Sequence, residues 1–480
     1  MQLRSRMARR RAATLAFAAL AAWSTGSASG QIVAIFSNIA GQANNNVPTI
    51  GGNFQTGTTS TIAFDRPYVS PDGSRWILGA FQEAGTDDKE IFIVGSGPTN
   101  AGAATVVVED SATVFDGALL WESFDTRASI NNAGQWVVSG NVSGDTLKDE
   151  LIVKFDGVTQ LPVIREADGS PIVGENFGTT IDSANILANG DVAYRSTLSP
   201  TTTKQIAGIG ATVVGNTDVT VPTGQLVAPD QTIDNMTADR FATSFDGQHY
   251  IMRGDLNGAT TTDDFVLYDG RVVIQEGANL PGGVLAGTNV SIISGDAGSN
   301  QISHNGLHWM ARTAMADGTG ATATDVVLHN GNLLAKTGDP IVPASTELWD
   351  DTVFTTTFFL NVTDNNGNRV VGGTTNNADI NKDAVLVYYG ANGSAFELVR
   401  EGDPVDLDGN GLFDDNTFID VFGNDDAFLT DSGRYYFVAA LQDANGTALG
   451  NAFLTMVVPE PTTGLALGAL AGLAVTRRRR

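Results

Sequence analysis

The chain has 480 residues, 53 of them acidic against 27 basic and none of them cysteine, for a formal charge of −26. A carboxylate surplus of that size repels phosphate backbones and anionic lipid headgroups and excludes nucleic acid as a natural partner; the missing thiols exclude disulfides, thiolate catalysis, Cys-ligated zinc and iron–sulfur clusters. With 55 glycines, abundant Asn and Thr and only 17% charged residues, the composition is that of a turn-rich all-β protein.

At the N-terminus, Arg4, Arg6, Arg9, Arg10 and Arg11 precede an apolar run from Ala12 to Trp23 and small residues ending in Ala28, Ser29 and Gly30. A positive end, a short apolar segment and small side chains at a cleavage point describe a secretory signal over residues 1–30, cut before Gln31. An uncleaved anchor is the alternative, but the run is shorter than the roughly 20 residues a span needs. The three consecutive arginines leave Sec and twin-arginine export both open. Ile32 to Phe36 is then a lone apolar run at the start of the mature chain.

From there one turn recurs seven times: Ser70-Pro71-Asp72-Gly73, Asn131-Asn132-Ala133-Gly134, Leu187-Ala188-Asn189-Gly190, Ser244-Phe245-Asp246-Gly247, Ser303-His304-Asn305-Gly306, Asp364-Asn365-Asn366-Gly367 and Thr430-Asp431-Ser432-Gly433. The glycines are spaced about 60 residues apart, which marks a repeat architecture. Asp-Gly or Asn-Gly between apolar runs predicts a hairpin, with both residues in the left-handed backbone of a tight primed turn.

After each glycine comes a run with adjacent bulky residues, such as Trp76-Ile77, Val137-Val138, Tyr250-Ile251 and Tyr436-Phe437. Neighbours in a strand point to opposite faces, so this strand needs cover on both sides and lies inside a stack of sheets. A second run follows, as in Glu150 to Phe155 or Val385 to Tyr389. A third leads into a carboxylate turn, as at Val163 to Asp168 or Leu398 to Asp403. With the strand before the first turn, each unit has four strands. Seven four-stranded antiparallel units buried on both faces predict a seven-bladed β-propeller over residues 31–458. The last unit lacks its fourth strand, so Ile32 to Phe36 is expected to close it. A solenoid or a string of sandwiches is the alternative; closure is preferred because it removes exposed sheet edges.

The turn Ser70-Pro71-Asp72-Gly73 resembles the Ser-Pro-Asp-Gly turn of bacterial propeller repeats, and Asn131 to Val138 resembles the Asn-x-x-Gly-x-x-Ala-Phe unit of exported tandem-repeat proteins. That second resemblance implies surface display and no particular reaction.

Three constellations could carry chemistry. Asp406, Asp408, Asn410 and Asp414 stand at positions one, three, five and nine of a loop with Gly411 at six, and Leu412 would add a backbone carbonyl, a pattern that suits Ca2+. Thr417 stands where a bidentate Glu is usual, so a plain acidic loop is the competing reading. Glu166, Glu276 and Glu401 recur at corresponding positions and would serve as acid and base if one rim gathered them; a repeated turn residue is the plainer reading. His249, His304 and His308 have no carboxylate at metal-ligand spacing and read as strand side chains.

The chain ends with Pro459-Glu460-Pro461, an apolar run from Gly464 to Val475 and four arginines, Arg477 to Arg480. Twelve apolar residues as a helix reach roughly 18 Å, short of a hydrocarbon core of about 30 Å, and the basic end resists translocation. Residues 459–480 resemble the PEP-CTERM sorting signal of Gram-negative bacteria. The resemblance implies recognition by an exosortase-type transpeptidase, transient membrane contact through the helix, and delivery to the cell surface or extracellular matrix. An ordinary C-terminal anchor is the alternative. Without residues 1–30 and 462–480 the body carries 18 basic residues against 53 acidic, a net −35. The expectation is an exported propeller with a binding or structural role, with an exopolysaccharide or other envelope glycan as partner. A secreted carbohydrate-active enzyme using the rim carboxylates is the alternative.

Overall fold

The computed structural model describes residues 30–459 apart from 57–62, 84–88, 98–103, 112–113, 116–118, 202, 281–288, 294–299, 317–322 and 351–356. Seven antiparallel sheets follow one another along the chain, and in all but the last the strands pair in sequence order from the axis outwards. The innermost strands are Phe64–Val69, Leu119–Ile130, Asn176–Ile186, Ile233–Met236 with Ala242–Thr243, Val290–Ile293 with Asn300–Ile302, Phe358–Thr363 and Phe418–Leu429. Each packs against the next, and the last returns to the first. The seven sheets are therefore the blades of a seven-bladed β-propeller. A two-residue strand, Val114–Phe115, adds to the inner edge of blade two.

Closure is made by the strand Val33–Ser37, which pairs antiparallel with Ala448–Val457 and completes blade seven, with Phe36 opposite Phe453. Phe36 is 1% exposed, and its ring lies 5.2 Å from Phe54 and 5.9 Å from Trp76 of blade one. The core is divided into seven apolar clusters, one in each gap between neighbouring blades. The adjacent bulky residues of the second strands feed these gaps alternately: Trp76 enters the gap with blade seven while Ile77 enters the gap with blade two. Val138 and Val137 divide the same way on either side of blade two.

All seven recurrent turns join a first strand to a second and lie on one face of the disc, called here the turn face. Their glycines are at φ +72, +80, +82, +69, +74, +77 and +74. In each, the glycine N–H donates to the carbonyl three residues back, as Gly73 to Ser70 at 2.8 Å and Gly433 to Thr430 at 2.9 Å. The Asp or Asn before the glycine is not left-handed. The expected primed turn is thus corrected to an ordinary β-turn followed by a left-handed glycine. The Asp or Asn is there for its side chain: Asp72 Oδ1 accepts from the Ser74 N–H at 2.9 Å, Asp246 Oδ1 from Gln248 at 3.0 Å and Asn305 Oδ1 from Leu307 at 3.0 Å. Such local acceptors hold a turn without helix or ladder.

The turns also bind one another. Asp72 N–H donates to Asn132 Oδ1 at 3.1 Å, Asn131 Nδ2 to the Leu187 carbonyl at 3.1 Å, and Ala188 N–H to the Phe245 carbonyl at 2.8 Å. Phe245 N–H donates to the His304 carbonyl at 2.7 Å, Asn305 N–H to Asn365 Oδ1 at 2.6 Å, and Asn365 N–H to Asp431 Oδ1 at 2.9 Å. The hydrogen-bonded chain runs from blade one to blade seven. Several turn glycines also leave room for a side chain of the preceding blade: a Cβ on Gly306 would lie 2.4 Å from His249, and one on Gly367 would lie 2.8 Å from His308. These two histidines pack on neighbouring turns, each just before a second strand and not within it as expected, and His249 Nδ1 also meets Asp269 Oδ2 at 2.7 Å.

Candidate functional site

The first strands do more than line a hole. Their pairing to the second strands slips by one or more residues between Asp65 and Tyr68, Phe124 and Ala128, Asp182 and Asn185, and Phe422 and Ala427. At two of these bulges Ser183 and Asp425 adopt left-handed backbone, both at φ +59, and Asp239 does so at φ +55 between the two short inner strands of blade four. A bulge turns side chains off the regular pleat, and here it brings polar residues to the axis. A cavity of about 120 Å³ lies there, lined by residues of all seven blades.

Three rings meet across the axis near the turn face: Tyr68 of blade one and His304 of blade five with centroids 5.8 Å apart, Tyr68 and Phe428 of blade seven at 5.5 Å, and His304 and Phe428 at 5.2 Å. Blades one and five are not neighbours, so this contact bridges the channel. Burial keeps the His304 imidazole neutral, pushing it down to about 4 against a weaker pull from Asp431 and Asp72. Burial likewise raises the Tyr68 phenol far above its ordinary range.

Charged groups deeper in the wall are paired. Arg195 forks onto Asp182, with Nε donating to Oδ1 at 2.9 Å and Nη2 to Oδ2. Arg312 donates to Asp425 Oδ2 and, at 3.3 Å, to the Phe358 carbonyl. Both arginines and both carboxylates are almost fully buried. Such pairs add little net stability over apolar packing, but losing one partner strands the other charge. Beside them, Asp125 and Glu150 are mutually hydrogen-bonded carboxyls; burial and mutual repulsion push Glu150 up to about 8. Two carboxyls that close hold a proton between them near neutral pH.

Glu166, Glu276 and Glu401 do occupy equivalent places. Each follows the fourth strand of blades two, four and six, and its N–H donates to a third-strand carbonyl: to Glu150 at 2.9 Å, Asp264 at 2.9 Å and Ala384 at 3.0 Å. They are not gathered. Glu166 hydrogen-bonds Asp149; Asp263 and Asp255 lie near Glu276; Glu401 hydrogen-bonds Asp383 and lies near Asp420. Burial is the main cause of a raised pKa in all three, with Glu401 reaching about 8.

The acidic loop lies against the closing strand. The Ala34 N–H donates to the Asp406 carbonyl at 3.0 Å, the Asp406 N–H to the Ile32 carbonyl at 2.9 Å, and Gln31 Nε2 to Asp406 Oδ2 at 2.6 Å. Asp406, 1% exposed, accepts from the N–H groups of Gly409, Asn410 and Gly411 at 2.8, 3.1 and 2.9 Å. Carboxylate oxygens of Asp406, Asp408 and Asp415 lie within 4.8 Å of one another. Asp415 was not singled out from spacing, and Asp414 lies outside this trio; Asn410 Nδ2 donates to it at 3.3 Å. Asn410 Oδ1 accepts from the Leu412 N–H at 2.7 Å, and Leu412 is exposed. Loop spacing favours Asp414 at position nine, whereas the folded loop brings the neighbouring Asp415 to Asp406 and Asp408.

No known protein family and no curated protein matches the chain. Among solved structures it is similar to a polysaccharide lyase, Uly1, at 11% identity and TM-score 0.44, covering 90% of this chain and 98% of that one. It is similar to an α-L-arabinanase of Penicillium chrysogenum complexed with arabinobiose at 11% identity and TM-score 0.30, covering 89% and 98%. It is similar to prolyl oligopeptidase B of Galerina marginata at 10% identity and TM-score 0.35, covering 82% of this chain and 49% of that one.

Proposed function

We propose that the chain is an exported, surface-sorted β-propeller whose work is binding or structural, with an envelope glycan as partner. One observation supports this over the enzymatic reading: the recurrent carboxylates Glu166, Glu276 and Glu401 are spread over alternate blades, and their carboxyl neighbours are local ones. Glycoside hydrolysis needs two carboxyls facing one bond across roughly 5–10 Å.

The sorting reading rests on Pro459, Glu460 and Pro461, of which Glu460 and Pro461, like residues 1–29, lie outside the described residues. Its support is positional. The body ends where Val458 N–H donates to the Gly433 carbonyl at 2.7 Å, and Gly30 lies against Val457. Both processed segments would thus leave from one corner of the turn face. Among the described residues no helix is long and apolar enough to cross a membrane.

An exosortase-type transpeptidase would act on the 459–480 segment. Calcium in the 406–415 loop would pin that loop to the closing strand, since Asp406 already holds Gln31 and bridges Val33. The test of function is a glycan array on residues 31–458 with product analysis: a ligand bound and returned intact supports the reading, and a shortened ligand overturns it in favour of the enzyme. Intact mass of the full chain in a host with and without exosortase should differ by loss of the C-terminal segment, and Pro459→Ala should block that loss. Melting with calcium and with chelator should separate; coincident curves remove the ion.

A further inference from the structure

The wall of the axial cavity is sculpted unevenly. Blades two, three, four and seven contribute Ala128, Ala184, Ala242 and Ala427 to it, which leave room, whereas Tyr68 of blade one and Phe428 of blade seven contribute aromatic rings. On the lining, Thr243 Oγ1 and His304 Nε2 are buried without a hydrogen-bond partner among the described residues; Thr243 is 7% exposed. A buried hydroxyl or imidazole left so calls for a ligand or ordered water. Asn185 and Gln301 add planar amides able to donate and accept. Charge in the site is balanced: Asp425 is held by Arg312, Arg127 stands in the wall, and Asp364 accepts from the N–H groups of Asn366 and Asn368 in its own turn at 2.9 and 2.8 Å.

We propose that this cavity binds one neutral, hydroxyl-rich ring of the size of a single pyranose sugar. The proposal rests on the glycan-binding reading and names the unit that would enter. Its volume of about 120 Å³ is below the roughly 150 Å³ that encloses a benzene, so a pyranose, with about twice the heavy atoms, would seat one face in the cavity and leave the rest in its open mouth. A sugar's C–H face suits the Tyr68 and Phe428 rings, and its hydroxyls suit Thr243, His304 and the two amides. A charged sugar has no uncompensated partner here, and a purely apolar ring would leave Thr243 and His304 unsatisfied.

The test uses the closed ring, residues 31–458, titrated with glucose, galactose, mannose and N-acetylglucosamine, with glucuronate as the charged counterpart, followed by saturation-transfer NMR and calorimetry. At least one neutral sugar should bind saturably with a roughly millimolar Kd. Thr243→Val, which keeps shape and removes the hydroxyl, should weaken it about tenfold at a melting temperature unchanged at neutral pH, and His304→Phe should do the same at that pH. No saturable binding, binding indifferent to both variants, or glucuronate bound more tightly than every neutral sugar would each overturn the proposal. If array glycans bind and Thr243→Val leaves them unaffected, this site fails while the broader function stands; if monosaccharides bind here and no polysaccharide does, the broader function fails while the site stands.

Discussion

The turn ring and the axial wall are made from adjoining stretches of the same seven repeats, yet one repeats its residues and the other does not. In the ring, every blade meets the same backbone demand, a left-handed residue after a β-turn, so glycine returns seven times. In the wall, the same strand carries Tyr68 in blade one, Ala128 in blade two, Gln301 in blade five and Phe428 in blade seven. Seven identical side chains around one axis would leave a hole or collide, so the wall is filled by unlike residues from opposite blades. Repetition therefore marks what holds the propeller together, and departure from repetition marks where it can be selective.

Six substitutions sharpen that contrast. The largest effect should fall at the closing strand, which completes blade seven: Phe36→Ala should cost about 3–5 kcal/mol in urea unfolding, because a fully buried aromatic leaves a cavity. Next is Gly306→Ala, expected to cost about 2–4 kcal/mol, since it adds a clash with His249 to the penalty of about 1–2 kcal/mol for a left-handed residue. Gly433→Ala has the same φ, +74, and nothing within 4 Å of the added Cβ, so it should lose only the backbone part. Equal losses at the two glycines would show that contact between blades contributes nothing to the ring.

The wall should respond to pH instead. Glu150 has its folded pKa raised from 4.5 to about 8, so the native state keeps a proton that the unfolded chain has lost. Stability must then fall as pH rises through that window, and Glu150→Gln should flatten the alkaline loss of melting temperature. His304 runs the other way. Its folded pKa is lowered from 6.5 to about 4, the unfolded chain takes up the extra proton, and stability falls as pH drops through that range. His304→Phe should flatten the acid limb. The smallest effect is expected at Tyr68→Phe, which keeps the ring contacts with His304 and Phe428 and removes one hydroxyl at the cavity. A melting shift comparable with that of Gly306→Ala would mean that the plug bears structural load as the ring does.

Sequence by itself determined the seven units, the interior second strands, the turn glycines and the need for Ile32 to Phe36 to complete blade seven, because each follows from local backbone geometry or from two-sided burial read along one strand. It also placed Glu166, Glu276 and Glu401 at equivalent positions. Only the tertiary structure decided that those three are kept apart, that Asp415 joins Asp406 and Asp408, and that Tyr68, His304 and Phe428 meet across the axis. These are contacts between residues up to several hundred positions apart. Such contacts are set by how the blades are disposed around a closed ring and where each inner strand bulges, and neither spacing nor hydrophobic period carries that information.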